Sequence, residues 1–436
     1  MTPRLVPPAG PQRVLALAQL TNSIGDGAYY VTSALYFTHV VGLAPARVGL
    51  GLTLAWAVGS LAGVPLGRLA DRRGPRGTAV LLALGTGAAV GSFLVVRGFV
   101  PFVLAACAYA TAQSGLAAAR QALLAGLVTA GERTGLLAHL QATLNAGLAV
   151  GAGLGGLALQ AGTRGAYLGV LALDAVSFLV CAGVLLRLPG VAPMAARESG
   201  SAARESGSAT EKPGSAGRRS VASVRKSDRL GVLRDRPYAV LTLLNTVLLL
   251  RMPLLSLGLP LWVAERTAAP TWVVSALFVL NTGAVMLFQV RTARVVTGLA
   301  SATRVVRRSG WVMFGACAVF ALSAGVSPWV AVGALVIGAV LQVVAEMGQS
   351  AGSWQLSFDL APADRVGEYQ GFFGTGVTVA RTLGPLVLTS LLVGWGTPGW
   401  LLLGGVTVVA SYAMGPATRR AAGRVVEETR QPALAR

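Results

Sequence analysis

Gly67-Arg68-Leu69-Ala70-Asp71-Arg72-Arg73-Gly74-Pro75-Arg76 sits between two long apolar stretches and carries four arginines around a single acid. Two apolar helices joined by so few polar residues must reverse sharply, and glycines permit both the tight turn and a close approach of backbones. Arg68, Arg72, Arg73 and Arg76 concentrate positive charge at one end of the helix pair, and in a membrane that end faces the cytoplasm. Asp71 can pair locally or face a helix N-terminus, whose exposed amides favour an anion. The plainer alternative is a basic turn that only anchors a membrane loop.

Working outward, the composition agrees with a membrane setting. Of the 436 residues, 54% are hydrophobic and 12% charged, with a mean hydropathy of +0.66. A soluble domain carries about 25% charged residues, so most of this chain must face lipid or other helices. Stretches of about 20 apolar residues, the length that crosses a bilayer, occur at 13–39, 47–69, 77–98, 101–129, 134–161, 165–187, 237–264, 271–296, 304–326, 328–355, 365–393 and 398–416. The first is no cleaved signal: it is too long, carries Asp26, and no soluble domain follows it.

Six stretches, a polar break and six more stretches give a layout of 1–187, a disordered basic cytoplasmic linker 188–236, 237–416, and a cytoplasmic tail 417–436. The linker repeats Ala196-Arg-Glu-Ser-Gly-Ser201 as Ala203-Arg-Glu-Ser-Gly-Ser208, a composition that cannot bury enough apolar surface to fold alone. A net charge of +20 invites a nucleic-acid reading, but only Arg47, Arg97, Arg164 and Arg266 fall in the outer loops. The charge therefore records topology, and no nucleic-acid partner is expected. Cys107, Cys181 and Cys317 lie singly in apolar runs, and there is no metal spacing, P-loop, dinucleotide fingerprint or Ser-His-Asp pattern. Neither a metal, a cofactor nor an enzyme is predicted.

The 67–76 loop resembles the signature between helices 2 and 3 of the major facilitator superfamily, Gly-x-Leu-Ala-Asp-Arg-x-Gly-Arg-Arg, with Pro75 in place of a basic residue. The resemblance implies an all-α integral membrane fold of twelve transmembrane helices in two pseudo-symmetric six-helix bundles. It also implies that Gly67, Asp71, Arg72, Gly74 and Arg76 form a conformational gate, with Asp71 meeting the start of helix 11. An internal echo fits the duplication: Glu132-Arg133-Thr134-Gly135 precedes span five as Asp364-Arg365-Val366-Gly367 precedes span eleven, followed by Gly151-Ala152 and Gly384-Pro385. Gly147, Gly151, Gly155 and Gly156 resemble the helix-5 motif of the antiporter branch, Gly-x-x-x-Gly-Pro-x-x-Gly-Gly, with Ala152 for the proline; small-residue packing explains the same pattern. Trp354–Pro362 and Gly367–Gly371 are similar to bacterial drug exporters.

Ionisable groups within spans cost on the order of 3 kcal/mol on insertion scales, so each needs a partner, a water-filled cavity or a task. Asp26, between Gly25 and Gly27, and Glu346, on a polar stripe with Gln342, Gln349 and Ser353, are the proton-coupling candidates; structural hydrogen bonding and an internal ion pair are their alternatives. Arg120 is a third candidate, as a partner of Asp26. Asp174 is expected in a structural pair on a peripheral span, and Arg251 and Arg381 as structural partners, Arg381 with a place at the half-to-half interface. Asn22, Tyr29, Tyr30, Gln342 and Gln349 are candidates to line a substrate cavity, with Tyr36, Trp56, Trp354, Phe372 and Phe373 as further aromatics. His39 and His139 lie near span ends without a ligand cluster.

The reading is a monomeric proton-coupled exporter of small hydrophobic or amphipathic molecules, multi-pass in a bacterial inner membrane with both termini cytoplasmic. Its partners are a small-molecule substrate, protons and the lipid bilayer. Uptake of a small metabolite on the same fold is the alternative, and a transport-inactive membrane sensor a third. Substrate identity leaves little trace in a broad apolar cavity.

Overall fold

The computed structural model describes residues 10–127, 130–189, 235–362 and 366–434, so most of the expected 188–236 linker and Asp364-Arg365 of the echo lie outside the described residues. Thirteen α-helices are present among them: α1 (Pro11–Leu35), α2 (Pro45–Arg73), α3 (Pro75–Ser92), α4 (Phe99–Leu127), α5 (Ala130–Ala161), α6 (Arg164–Leu185), α7 (Arg236–Leu249), α8 (Gly258–Arg266), α9 (Val273–Arg294), α10 (Leu299–Ala321), α11 (Pro328–Asp359), α12 (Val366–Leu388) and α13 (Thr397–Leu434). The described residues contain no strand. α7 and α8 are two parts of one span, interrupted at 250–257, where Pro253 cannot continue a helix. Twelve spans result, as the sequence predicts. Nine of them are long and apolar enough to cross a bilayer. The other three are α1, interrupted by Asn22 and Asp26, α3, only 18 residues long, and α10, which opens with Arg304, Arg307 and Arg308.

Packing repeats between the halves. The pairs α1–α5, α1–α6, α2–α4, α3–α4 and α3–α6 have the counterparts α7–α12, α7–α13, α9–α11, α10–α11 and α10–α13. The halves meet through α2–α12 and α5–α9, which the same repeat relates to each other. Side chains that face away from these contacts are large and apolar, among them Leu61, Leu81 and Leu104, as a lipid-facing surface requires.

The 67–76 loop has a local physical logic. Gly74 has φ of +99°, a conformation that L side chains rarely adopt, and it both ends α2 and starts α3. Pro75 then occupies the first turn of α3, where its fixed φ suits a helix start and its missing N–H costs nothing. Arg76 donates to the carbonyl of Leu186, just past the end of α6, where unpaired carbonyls favour a cation. Gly67 is less constrained, because a Cβ there would meet only Ala118 at an ordinary 3.5 Å. The end of the molecule bearing this loop, called the loop end below, also carries Arg291 and Arg294 at the close of α9 and Arg419, Arg420 and Arg424 on α13. α13 continues to Leu434 through the stretch expected to be a tail, burying Ala417 and Ala421.

Candidate functional site

Two glycines set the place of Asp26. A Cβ on Gly27 would strike the backbone of Leu148, so this face of α1 lies directly on α5; a Cβ on Gly25 would strike the Asp174 carboxyl and the Ser177 hydroxyl of α6. α5 answers with its own glycines: Cβ atoms on Gly147, Gly151 and Gly155 would meet Leu20, Ile24 and Ala28 backbone atoms of α1. Three of the four residues of the helix-5 motif therefore seat α1. The fourth, Gly156, faces Ser275 of α9 across the two halves, at 2.8 Å from a Cβ placed there.

With α1 held from behind, its remaining face opens into a central cavity of about 530 Å³ between the halves. Asn22, Asp26, Tyr29 and Tyr30 line it, joined by Trp56, Tyr109, Gln113 and Arg120 from the first half and Ser256, Phe278, Asn281, Glu346 and Arg381 from the second. Asn22 Nδ2 donates to Asp26 Oδ2 at 2.7 Å, while Asp26 Oδ1 is buried without a hydrogen-bond partner. Arg120 lines the cavity and its charge reaches Asp26, but its guanidinium donates to Cys181 Sγ at 3.2 Å instead of forming the expected direct pair. A smaller space of about 240 Å³ shares Gln19, Ala117, Arg120 and Leu144 with the central cavity and runs between α1, α4 and α5 toward the loop end.

The second half holds its charge differently. Arg251, at the α7–α8 break, is 7% exposed and lies 3.7 Å from Glu346 Oε2. Its other guanidinium nitrogen donates to Gln349 Oε1 at 2.7 Å, and Gln349 in turn donates to Asn245 at 3.1 Å and Ser353 at 3.2 Å. Gln342 donates to Glu346 Oε2 at 2.9 Å. Gln342 and Gln349, read from sequence as cavity residues, are thus buried supports of Glu346 and Arg251 outside the cavity wall. The three- and four-residue stripe locates one polar face, but the face divides its members between a cavity and a neighbouring helix.

Arg381 sits at the interface of the halves, its guanidinium 5.0 Å from the centre of the Trp56 ring of α2. Four residues on, Pro385 has no N–H and disturbs the helix around it. The Leu386 N–H donates across the halves to Thr53 Oγ1 at 3.3 Å, so the disturbed backbone is satisfied by the opposite bundle, as an apolar medium demands. Gly384 lets α12 approach the Pro253 ring at the α7–α8 break. Thr271 donates to the Leu159 carbonyl at 3.0 Å, and Gly49 lies against Thr389. The contacts here that cross the halves, Leu386 to Thr53, Thr271 to Leu159 and Gly49 against Thr389, belong to the part of the molecule away from the loop end.

Several sequence candidates lie elsewhere. Tyr36 donates to the Phe93 carbonyl at 2.8 Å, Phe373 packs on Tyr238, and Trp354 is exposed. Tyr109, Phe278 and Asn281 line the cavity without being marked in the sequence, because one aromatic or amide in an apolar run carries no periodic signal. Asp174 is the clearest departure: it is fully buried beside α1, with both carboxyl oxygens lacking a hydrogen bond, and no structural pair forms among the described residues. Of the gate residues, Gly67, Arg72, Gly74 and Arg76 surround the α2–α3 turn, while the Asp71 side chain lies outside what the structure describes. Among the described residues no cluster of His, Cys, Asp and Glu fits a metal ion.

A helical membrane protein with a central cavity between two repeated halves is built as a transporter. Residues 15–385 match the model of the Major Facilitator Superfamily, and the chain belongs to that family: it is a transporter and not an enzyme. No curated protein matches it. Among solved structures it is similar to a POT family transporter in complex with 5-aminolevulinic acid, at 13% identity and a TM-score of 0.70, covering 97% of this chain and 100% of that one. The nucleoside transporter NupG is similar at 16% identity and a TM-score of 0.70, covering 93% and 98%. A proton-dependent oligopeptide transporter follows at 16% and 0.67, covering 94% and 99%. At these identities the likeness is one of fold.

Proposed function

We propose that the chain is a proton-coupled secondary transporter that exports small hydrophobic or amphipathic molecules by alternating access. The observation that carries this reading is the Asp26 carboxyl, half unpartnered, at the wall of an aromatic cavity between the halves. About 530 Å³ falls within the roughly 300–1,000 Å³ of sites for drug-sized ligands. Tyr29, Tyr30, Trp56, Tyr109 and Phe278 offer apolar faces, and Arg120 and Asp26 offer charge that changes when a proton binds. A proton on Asp26 leaves Arg120 as uncompensated positive charge and disfavours a cationic guest; release of the proton restores the site. One charge moved through 100 mV is worth about 2.3 kcal/mol, enough to bias such a cycle.

In this reading the basic loop end is cytoplasmic, in a bacterial inner membrane. The contacts of α2 with α12 and α5 with α9 then seal the outer side, with the cavity reached from the cytoplasm between α1, α4 and α5. Opening outward requires those contacts to part while the 67–76 gate closes. The protein works as a monomer, each chain holding one complete cavity. Residues 1–187 and 237–416 are the two moving bundles, joined by the 188–236 linker.

Uptake is the second reading. The cavity wall carries both signs, Asp26 and Glu346 against Arg120 and Arg381, which suits a zwitterion such as the 5-aminolevulinic acid held by the POT relative.

The experiment is proton flux in respiring inside-out vesicles, followed by a fluorescent pH reporter. Antiport predicts proton release from the lumen when a lipophilic cation is added to the bath, lost in Asp26→Asn. Release only from lumen-loaded zwitterion would instead establish symport. No release in either arrangement across a broad panel sinks proton coupling.

A further inference from the structure

The first half holds a second acid that the transport scheme above does not use. Asp174, midway along α6, is 0% exposed, and neither carboxyl oxygen has a hydrogen-bond partner. The Ser177 hydroxyl adjoins the carboxyl but shares its one proton with the Asp174 main-chain carbonyl, to which it donates at 2.7 Å. The side chain lies against Gly25, where any Cβ would strike it, so the carboxyl occupies the space that the glycine leaves open next to Asp26. Asp26 and Asp174 are close enough to repel each other when charged.

The surrounding groups give Asp174 no counter-charge of its own. From α1 come Asp26, Tyr29 and Tyr30, and from α4 Tyr109 and Arg120. Arg120 acts on Asp26 and is itself held at Cys181, two turns along α6 from Asp174. α3 and α5 contribute only Arg76 and His139 among their described ionisable side chains, both toward the loop end. An ionised carboxylate with no cation of its own and only a shared hydroxyl beside it is expensive to bury, and two neighbouring ones cannot both be charged. Asp174 is absent from the cavity wall whereas Asp26 is on it.

We infer that Asp174 is a second proton-binding site packed behind Asp26 at Gly25, so that α1 and α6 together form a two-carboxyl proton store behind the substrate cavity. This rests on the proton-coupled reading for its purpose, but its chemistry is tested without a substrate. The protein, reconstituted in lipid vesicles in a Glu346→Gln background, is titrated while the C=O stretch of protonated carboxyls is followed by infrared difference spectroscopy. Two slowly exchanging bands that vanish at separate pH values are expected. Asp174→Asn removes one and shifts the other, while Asp26→Asn moves the Asp174 band's midpoint to lower pH, because a negative neighbour has gone.

An Asp174→Asn spectrum that titrates like its parent overturns the inference. If that variant does not fold, the Asp26→Asn protein decides alone: no remaining buried carboxyl band that titrates refutes a proton site at Asp174. Intact infrared behaviour with no vesicle proton flux would leave the store standing and refute the transport reading. The opposite pattern would do the reverse.

Discussion

Asp26 and Glu346 show how one residue type acquires different work from its surroundings. Both line the cavity, but Glu346 is tied to Arg251 and Gln342, whereas Asp26 keeps one oxygen without a partner. Removing one member of a buried pair leaves the other charge uncompensated, which costs more than replacing both. Because Arg251 is buried and Glu346 about one-third exposed, Glu346→Gln is expected to lower the melting temperature of the purified protein by a few degrees, roughly what 1–2 kcal/mol gives in a large domain. The double variant Arg251→Met with Glu346→Gln should recover part of that loss. Additive losses in the double variant would show that the ion pair is not a coupled unit. Asp26→Asn, whose neighbouring cation Arg120 is held at Cys181 and not in a direct pair, should lower the melting temperature by less than Glu346→Gln while removing proton release. The acids themselves were legible in the sequence, since a charge inside an apolar run stands out. Whether each has a cation is a matter of which helix lies opposite, and that has no local signal.

At the scale of elements, glycines position the site. α1 and α5 approach until backbone meets backbone at Gly27, Gly147, Gly151 and Gly155, a contact driven by packing and not by any difference in hydrophobicity between helix and lipid. Gly151→Ala places a methyl on the Ile24 carbonyl and the Ala28 amide, which cannot rotate away, so a loss of about 1–3 kcal/mol in unfolding stability is expected. Gly153, two residues on, has open space around its Cβ position, and Gly153→Ala should be neutral or slightly stabilising through helix propensity. Thermal unfolding in one detergent compares the two; equal effects would remove the α1–α5 contact as the reason for the motif. The glycine pattern was readable from sequence, and so was packing as one explanation of it. Its partner helix was not, because every apolar span offers the same lipid-like face. Pro253 and Pro385 likewise announce breaks, but only the fold shows that Gly384 lies on one and that Thr53 satisfies the backbone near the other.

For the whole molecule, alternating access requires that the α5–α9 contact open once in each cycle. Gly156 and Ser275 mark it, with 2.8 Å between a Cβ on Gly156 and that of Ser275, a small adjustment from the roughly 3.5–4.5 Å of a disulfide. In a chain whose three native cysteines are replaced, Gly156→Cys with Ser275→Cys should cross-link on oxidation, stop transport, and recover with reductant. Full cross-linking with undiminished transport would exclude separation of these helices as a step. By itself the sequence determined the number of spans, the basic loop and the acids that a membrane makes expensive, because hydropathy and charge act locally along the chain. Tertiary structure decided that Gln349 supports a buried arginine and Gln342 the acid beside it, that Arg381 crosses the halves to Trp56, and that Asp174 lies behind Asp26. Those outcomes depend on the rotation of each helix about its axis, and rotation is set by close packing between distant segments, which no window of sequence contains.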